Sequence, residues 1–446
     1  MLNYIWLALV LCAVAIGGWT NHLKEVTDGA LDGAKTAVTI ALGLIGIMAL
    51  WLGVMRLAER AGLIQKIARA LRPIMTRLFP DVPAEHPAMG AMLMNMAANM
   101  LGLGNAATPL GLRAMHDLES LNPHPGVATN AMCTFLAINT ASVQLIPTTA
   151  IAILAASGSK RPTAIVGTAL MATLCAATVA VVSVKLLQRL RVFRPNESLD
   201  EKEAAKDVGQ KFADVSDQVN LPATDRSVIP WWGRLSLAAL IIFFSFLFIR
   251  MGFPGLFGLE MSAEQSSQSA FVRSVNALSL LAIPFLLSFF PLYAASLGIK
   301  VYDEFVEGAK EGFNVILRII PFLVTMLVAI GMFKGAGGID LLQRALNPLL
   351  QPLHFPPDLL PLALMRPLSG SGTLALLTDI IHRLGPESIV SLTAATIYGS
   401  TETTFYVAAV YFGSVGVRQT RHAIPAGLLA DLTGVIASVV ICRAVL

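Results

Sequence analysis

Charge is what this sequence lacks most. Asp, Glu, Lys and Arg make up 13% of its 446 residues, against about 25% in soluble globular domains, while 55% are apolar. That scarcity excludes an ordinary soluble fold, and the small net charge of +4 gives no reason to expect a nucleic-acid partner. Cysteine is scarce too: Cys12, Cys133, Cys175 and Cys442 all lie in apolar runs without CxxC spacing, which excludes a disulfide framework and reads as small buried hydrophobes. Walker A, HExxH and GxSxG are absent, so ATPase, zincin and nucleophile-elbow chemistry are not expected. The seven histidines are scattered, and the glycines at 102 and 104 lack the strand–turn–helix context of a dinucleotide fingerprint. We expect no enzyme activity, metal or cofactor. No Lys or Arg precedes Lys24, so the apolar start lacks the basic region of a cleaved signal and reads as a retained membrane helix.

What is present is long apolar runs, each near the roughly 20 residues that cross a bilayer. They fall at about 4–20, 37–57, 87–103, 127–156, 162–188, 233–253, 274–298, 313–333, 358–369, 388–412 and 422–445. Basic residues flank them, as at Arg56 to Arg77 and Lys185 to Arg194, the pattern of cytoplasmic loops. Residues 61–78 carry apolar residues at three- and four-residue spacing with Lys66, Arg69, Arg72 and Arg77 between them, predicting an amphipathic surface helix. Residues 193–229 are polar and charged and read as a solvated linker, and Trp231 and Trp232 mark a membrane interface.

The chain also repeats itself. LDGAKTAV (31–38) matches VEGAKEGF (306–313), and each precedes an apolar span. AGLIQKIARALRPIMTRLFP (61–80) matches GGIDLLQRALNPLLQPLHFP (337–356). Two polar interruptions follow in each half: 95–109 against 365–379, and 138–147 against 398–407. Four paired features in one order predict two related halves. With the basic flanks on one side, 37–57 and 313–333 run in opposite directions, which predicts inverted repeats.

Glycine- and proline-broken stretches survive in hydrocarbon only where they face protein or a watery cavity. Paired breaks in two repeats point to a transport site, where half-helix ends offer free N–H and C=O groups. In the first half these stretches hold Asn95, Asn99, Asn105, Thr108, Asn139, Thr140, Ser142 and Gln144. In the second they hold Arg366, Ser369, Ser371, Thr373, Ser400, Thr401, Glu402, Thr403 and Thr404. We take all seventeen as candidate substrate-binding residues; the alternative is interhelical glue. Arg366 and Glu402 stand apart, because a charge at the bilayer centre costs at least about 2.5–3.5 kcal/mol and is usually paired and functional. They can pair with each other, with a substrate or with a coupling ion. Asp379 and His382 sit near a helix end beside Arg383, where a solvent-facing placement is as reasonable.

NMAANMLGLGNAATPLGLRAM (95–115) and NTASVQLIP (139–147) resemble spore maturation protein A of bacteria; MRPLSGSG (365–372) and YGSTETTFYV (398–407) resemble spore maturation protein B. The chain is therefore similar to a fusion of the two, within the nucleoside-recognition Gate families. The resemblance implies a bacterial inner-membrane protein linked to spore maturation. Gate domains also occur in concentrative nucleoside transporters and ferrous iron permeases, which implies solute passage without fixing the solute.

The expected architecture is an all-α, polytopic integral membrane protein. It has an N-terminal membrane helix (1–24), a first Gate-type repeat (25–192), a charged cytoplasmic linker (193–229), connecting membrane helices (230–299) and a second Gate-type repeat (300–446). The expected function is movement of a small polar or anionic solute through a midplane site, with H+ or Na+ as coupling ion. The alternative is a non-transporting scaffold for envelope or spore maturation. The lipid bilayer is the other expected partner, and a homo-oligomer is left open.

Overall fold

The computed structural model describes residues 2–102, 104–193, 229–258, 269–338, 341, 344 and 355–446, with the side chains at 2, 3, 5, 104–106 and 318 excluded. The expected linker, apart from its first and last residue, and most of the second amphipathic stretch lie outside them. Among the described residues the chain is helical, with a single isolated bridge between Val127 and Gln419 in place of any sheet.

The first half contains α1 (Leu2–Trp19), α2 (Leu23–Arg60), α3 (Leu63–Leu78), α4 (Pro87–Met100), α5 (Gly104–Glu119), α6 (Asn130–Ala141), α7 (Thr148–Ala156) and α8 (Ile165–Leu187). Two connecting helices follow, α9 (Trp231–Gly252) and α10 (Ala270–Ser296). The second half contains α11 (Val301–Gly335), α12 (Leu360–Met365), α13 (Gly370–Leu384), α14 (Ile389–Ser400), α15 (Thr404–Ser414) and α16 (Ala423–Val445). Six of these, α2, α8, α9, α10, α11 and α16, are long and apolar enough to cross a bilayer. Their outer faces carry large apolar side chains such as Leu235, Ile242 and Phe243 on α9 and Leu432 and Val440 on α16. The chain is a multi-pass α-helical membrane protein.

Several sequence expectations shift. The run at 127–156 is two helices with an irregular connection at 142–147, and 388–412 is likewise α14 and α15 with a break at 401–403. The matching motifs at 31–38 and 306–313 do not precede their spans but lie inside α2 and α11, which are 38 and 35 residues long. Cys133 and Cys442 are buried as expected, but Cys12 and Cys175 are exposed on α1 and α8. An apolar residue in a membrane helix can face lipid as readily as core, so hydrophobicity did not predict burial there. The amphipathic helix at 61–78 forms as α3, turning Ile64, Ala68 and Met75 inward, and Lys66 lies 4.6 Å over the Tyr293 ring.

Helices α2 and α11 make the most extensive helix pair and run in opposite directions. Their backbones touch. A Cβ on Gly29 would stand 2.2 Å from the Gly331 carbonyl oxygen, and one on Gly331 would stand 2.1 Å from that of Gly29. Gly33, Gly335 and Gly308 meet the carbonyl oxygens of Leu327, Glu25 and Leu52 in the same way, and Gly312 meets the Ala49 backbone at Cα and N. Small residues that let backbones approach are the usual means of helix association in a bilayer, where lipid supplies no hydrophobic drive. One end of the pair is closed by Arg56 and Arg60 on Glu304, at 2.9 and 3.1 Å, and by Arg56 on Glu311 at 2.6 Å.

Around this pair the shorter helices correspond by length and capping. α6 and α14 are both 12 residues, started by Thr129 and Ser388, whose hydroxyls accept from the N–H groups of Met132 and Ser391. α8 and α16 are both 23 residues and pack on each other. α5 and α13 have 16 and 15 residues.

Candidate functional site

The four broken stretches are real breaks, and two of them meet. α6 ends in Ser142, whose φ of 37° is left-handed and turns the chain out of the helix. α14 ends in Thr401, which is extended. At the crossing, the Glu402 N–H donates to the Thr140 carbonyl at 2.6 Å, one backbone hydrogen bond from half to half. A break leaves backbone groups that an apolar medium cannot satisfy, and here each stretch satisfies part of the other.

Beside the crossing lies a cavity of about 230 Å³. Its apolar walls are α2 and α11, through Leu44, Met48, Trp51, Ile316 and Ile319. Its polar groups are Asn99, Gln144, Thr148, Thr149, Tyr398 and Glu402. The site therefore draws on both halves. A larger cavity of about 350 Å³ opens near Asp81, His124 and Arg421, away from every broken stretch, and none of the predicted residues lines it.

Among the described residues Arg366 is the largest fully enclosed side chain, 2% exposed, in the turn between α12 and α13. Its guanidinium stands 4.9 Å over the Tyr398 ring and 4.0 Å from a Glu402 carboxylate oxygen, and Nε has no partner. The Glu402 side chain is 40% exposed and faces the cavity. At 4.0 Å this is an ion pair without a hydrogen bond. A buried guanidinium held so loosely is expensive unless something else engages it. The arrangement can attract a polar or anionic group to Arg366 and accept hydrogen bonds or a cation at Glu402.

The other predicted residues divide in three. Asn99 and Gln144 line the cavity, and Asn99 donates to the Asn139 side-chain oxygen at 2.9 Å. Thr140, Ser142, Thr401, Thr403 and Thr404 are buried at or beside the crossing, and the hydroxyls of Thr140, Ser142 and Thr401 have no partner. The remainder serve the helices themselves. Ser369 caps α13 by accepting from Gly372 N at 3.0 Å and lies 3.3 Å from Ser371 Oγ. Thr373 donates back to Ser369 O, and Ser400 to Ile397 O. Asn95 donates to Ala107 O at 2.7 Å, joining α4 to α5, and to Tyr411 at 3.3 Å. Thr108 is half-buried on α5, away from the cavity lining. The Asn105 side chain lies outside the described residues. Asp379 takes 2.8 Å and 3.7 Å contacts from Arg383 and Lys334, and His382 is exposed.

Sequence reasoning passed over Asp431. It is 2% exposed in the middle of α16, accepting from Thr404 Oγ1 at 2.6 Å. Its signal was available: it is the one acid within the otherwise apolar run 422–445, and an intramembrane acid is a functional-site candidate by default.

The family described as Gate, nucleoside recognition, matches residues 41–188 and 316–418, more than half of the chain, and these ranges hold all seventeen predicted residues. Spore maturation protein A of Bacillus subtilis (strain 168) is 44% identical over 182 residues, which is 41% of this chain and 93% of that protein. Spore maturation protein B of the same organism is 44% identical over 167 residues, 37% of this chain and 94% of that protein. No solved structure matches the chain. On the family match and the geometry together, the chain is a multi-pass membrane protein of the Gate family, similar to spore maturation proteins A and B.

Proposed function

We propose that this protein is a carrier, not an enzyme, that moves a small polar or anionic solute across the bacterial inner membrane. The observation that carries the reading is the pairing of buried Arg366 with cavity-facing Glu402, where broken stretches of both halves converge. The cavity is smaller than the roughly 300–1,000 Å³ of drug-sized ligand sites, which favours a small solute. The family description suggests nucleosides as one class to try, and the free Nε of Arg366 suggests carboxylates and phosphates as others.

The opposite directions of α2 and α11 support an inverted repeat, since these helices carry the matching motifs at 31–38 and 306–313. In such folds one repeat rocks against the other around a fixed site. Arg56, Arg60 and Lys66 lie at one end of that pair, and Lys185 reaches the end of α3 through Leu78 O, so this end is the cytoplasmic one by the positive-inside rule.

The test is thermal stabilisation of the detergent-purified protein by nucleosides, small carboxylates and phosphates. A solute that binds only the folded state stabilises by roughly 2.7 kcal/mol at 100 times its Kd. The reading expects such a solute, and expects its effect to vanish in Glu402→Gln. No stabilisation by any class, with folded protein, would leave the envelope or spore-maturation scaffold as the better account.

A further inference from the structure

The group that the cavity does not use is Asp431, and its surroundings are unusual for a carboxylate at membrane depth. One oxygen accepts from Thr404 at 2.6 Å, and the other has no partner. Thr401 Oγ1 stands near the same carboxylate without closing a hydrogen bond, and it too is unpartnered. Thr140 Oγ1, from the other half, is a third buried oxygen without a partner. Glycines one turn to either side of Asp431 let both broken stretches come this close. A Cβ at Gly427 would stand 2.9 Å from Thr404 Oγ1 and 3.3 Å from Thr140 Oγ1, and one at Gly434 would meet Thr401 Cγ2 at 2.6 Å.

Helix packing does not need this arrangement, as the corresponding place in the first half shows. Asp431 is the ninth residue of α16, and the ninth residue of the equally long α8 is Thr173. Thr173 donates to the carbonyls of Ala141 and Ser142 and so closes the break after α6 with a neutral hydroxyl. Asp431 cannot do that job as a carboxylate, because it only accepts. What the unpartnered oxygens around it have in common is affinity for a positive charge. The set is all oxygen, with one carboxylate and several hydroxyls, the donor chemistry of a hard cation. A single acid matches a single charge. The nearby charged groups across the packed elements are Arg366 and Glu402, of opposite sign.

We infer that Asp431, with the hydroxyls of Thr140, Thr401 and Thr404, binds one sodium ion beside the solute cavity. The ion would sit where the two broken stretches cross, so its presence would set how they lie and hence how Glu402 is presented. Its role as a coupling ion rests on the transport reading. The site itself does not, and it is tested without a solute.

The experiment is equilibrium binding of radioactive sodium to the purified full-length protein at pH 7, beside thermal unfolding in sodium or choline chloride at equal ionic strength. We expect saturable binding of one ion per chain and an unfolding temperature raised by a few degrees in sodium but not choline. Asp431→Asn keeps an acceptor for Thr404 and should lose both effects; Thr401→Val should weaken binding at least tenfold while leaving the fold intact by size exclusion. Glu402→Gln should bind sodium still, which separates this site from the solute site. Sodium binding unchanged in Asp431→Asn would overturn the proposal. So would an absence of sodium binding in folded wild-type protein, including the case in which only pH, acting through Asp431, changes its stability.

Discussion

The two halves of this protein share a scaffold and differ in where they keep charge. Counting from the ends of the equal helices α6 and α14, the position of Glu402 is held in the first half by Val143. The position of Asp431 is held by Thr173. The first half brings Asn99, Gln144, Thr148 and Thr149 to the cavity, all neutral, and the second brings Glu402 with Arg366 behind it. The difference teaches that a broken membrane helix needs only neutral groups for its own stability. In the first half Thr173 closes carbonyls after α6, and Asn99 donates to Asn139. The charges of the second half are therefore an addition to the architecture, and on the proposed carrier reading function is the reason to bear their cost.

Four measurements sharpen or break this contrast. The largest effect belongs to Arg366→Ala, which strands Glu402 at the cavity. A hydrogen bond from a solute to a charged group contributes about 1.5–3 kcal/mol, so solute-dependent stabilisation should largely disappear. If it survives, the charged half is not the recognising half. Next are Gly29→Ala and Gly331→Ala, each forcing a methyl group against the other's carbonyl. Overpacking costs about 1–3 kcal/mol, and because the contact is reciprocal the two variants should lose similar unfolding free energy. Unequal losses would show that the halves are not equivalent even at their shared axis. Thr173→Val should cost about 1 kcal/mol, the worth of a hydrogen bond to the break, and leave solute binding untouched. A loss of binding there would show that the closed break after α6 also positions the solute site.

The smallest effect concerns the loops at the far end. Glu387 accepts from Ser159 Oγ and Lys160 N, both at 2.7 Å, and from Arg161, tying the α13–α14 connection to the α7–α8 connection. The Ser159 hydrogen bond, followed by the backbone N–H groups and Arg161, holds its carboxyl below the usual range. A depressed carboxyl contributes stability that is full above its unfolded value, near 4.3, and is lost as pH falls through the lower folded value. The group is exposed and screened, so the contribution is below about 1 kcal/mol. Acid titration of unfolding should show a small step around and below pH 4 that is missing in Glu387→Gln.

Much of this was legible before any coordinates. Gly102, Pro147, the Ser-Gly-Ser-Gly run at 369–372 and the Ser-Thr-Glu-Thr-Thr run at 400–404 disrupt apolar sequence in ways a continuous helix does not tolerate, so the breaks could be read directly. The roles inside the breaks could not. Ser369, Thr373 and Ser400 look like Thr140 and Thr401 in a sequence, yet the first three are bound to their own helix and the last two are left free. That depends on which way a hydroxyl turns at a helix end, set by the neighbouring helix rather than the local residues. The cavity walls were equally hidden, since Leu44 and Ile316 have the spacing of any lipid-facing side chain. Asp431 was missed for a different reason: one acid hardly changes the hydropathy of a 23-residue helix, and an averaged signal discards it.

The hydrogen bond from Glu402 N–H to the Thr140 carbonyl has a consequence for assembly. The backbone of Glu402 is held by a residue that the other half supplies, and the remaining cavity residues come from both. Cut within the span 194–228, the chain would give two pieces, each with two broken helices and neither with a complete site. The pieces would have to find each other in the membrane before the cavity could form. Joining them in one polypeptide fixes their ratio at one to one and turns that search into an intramolecular step.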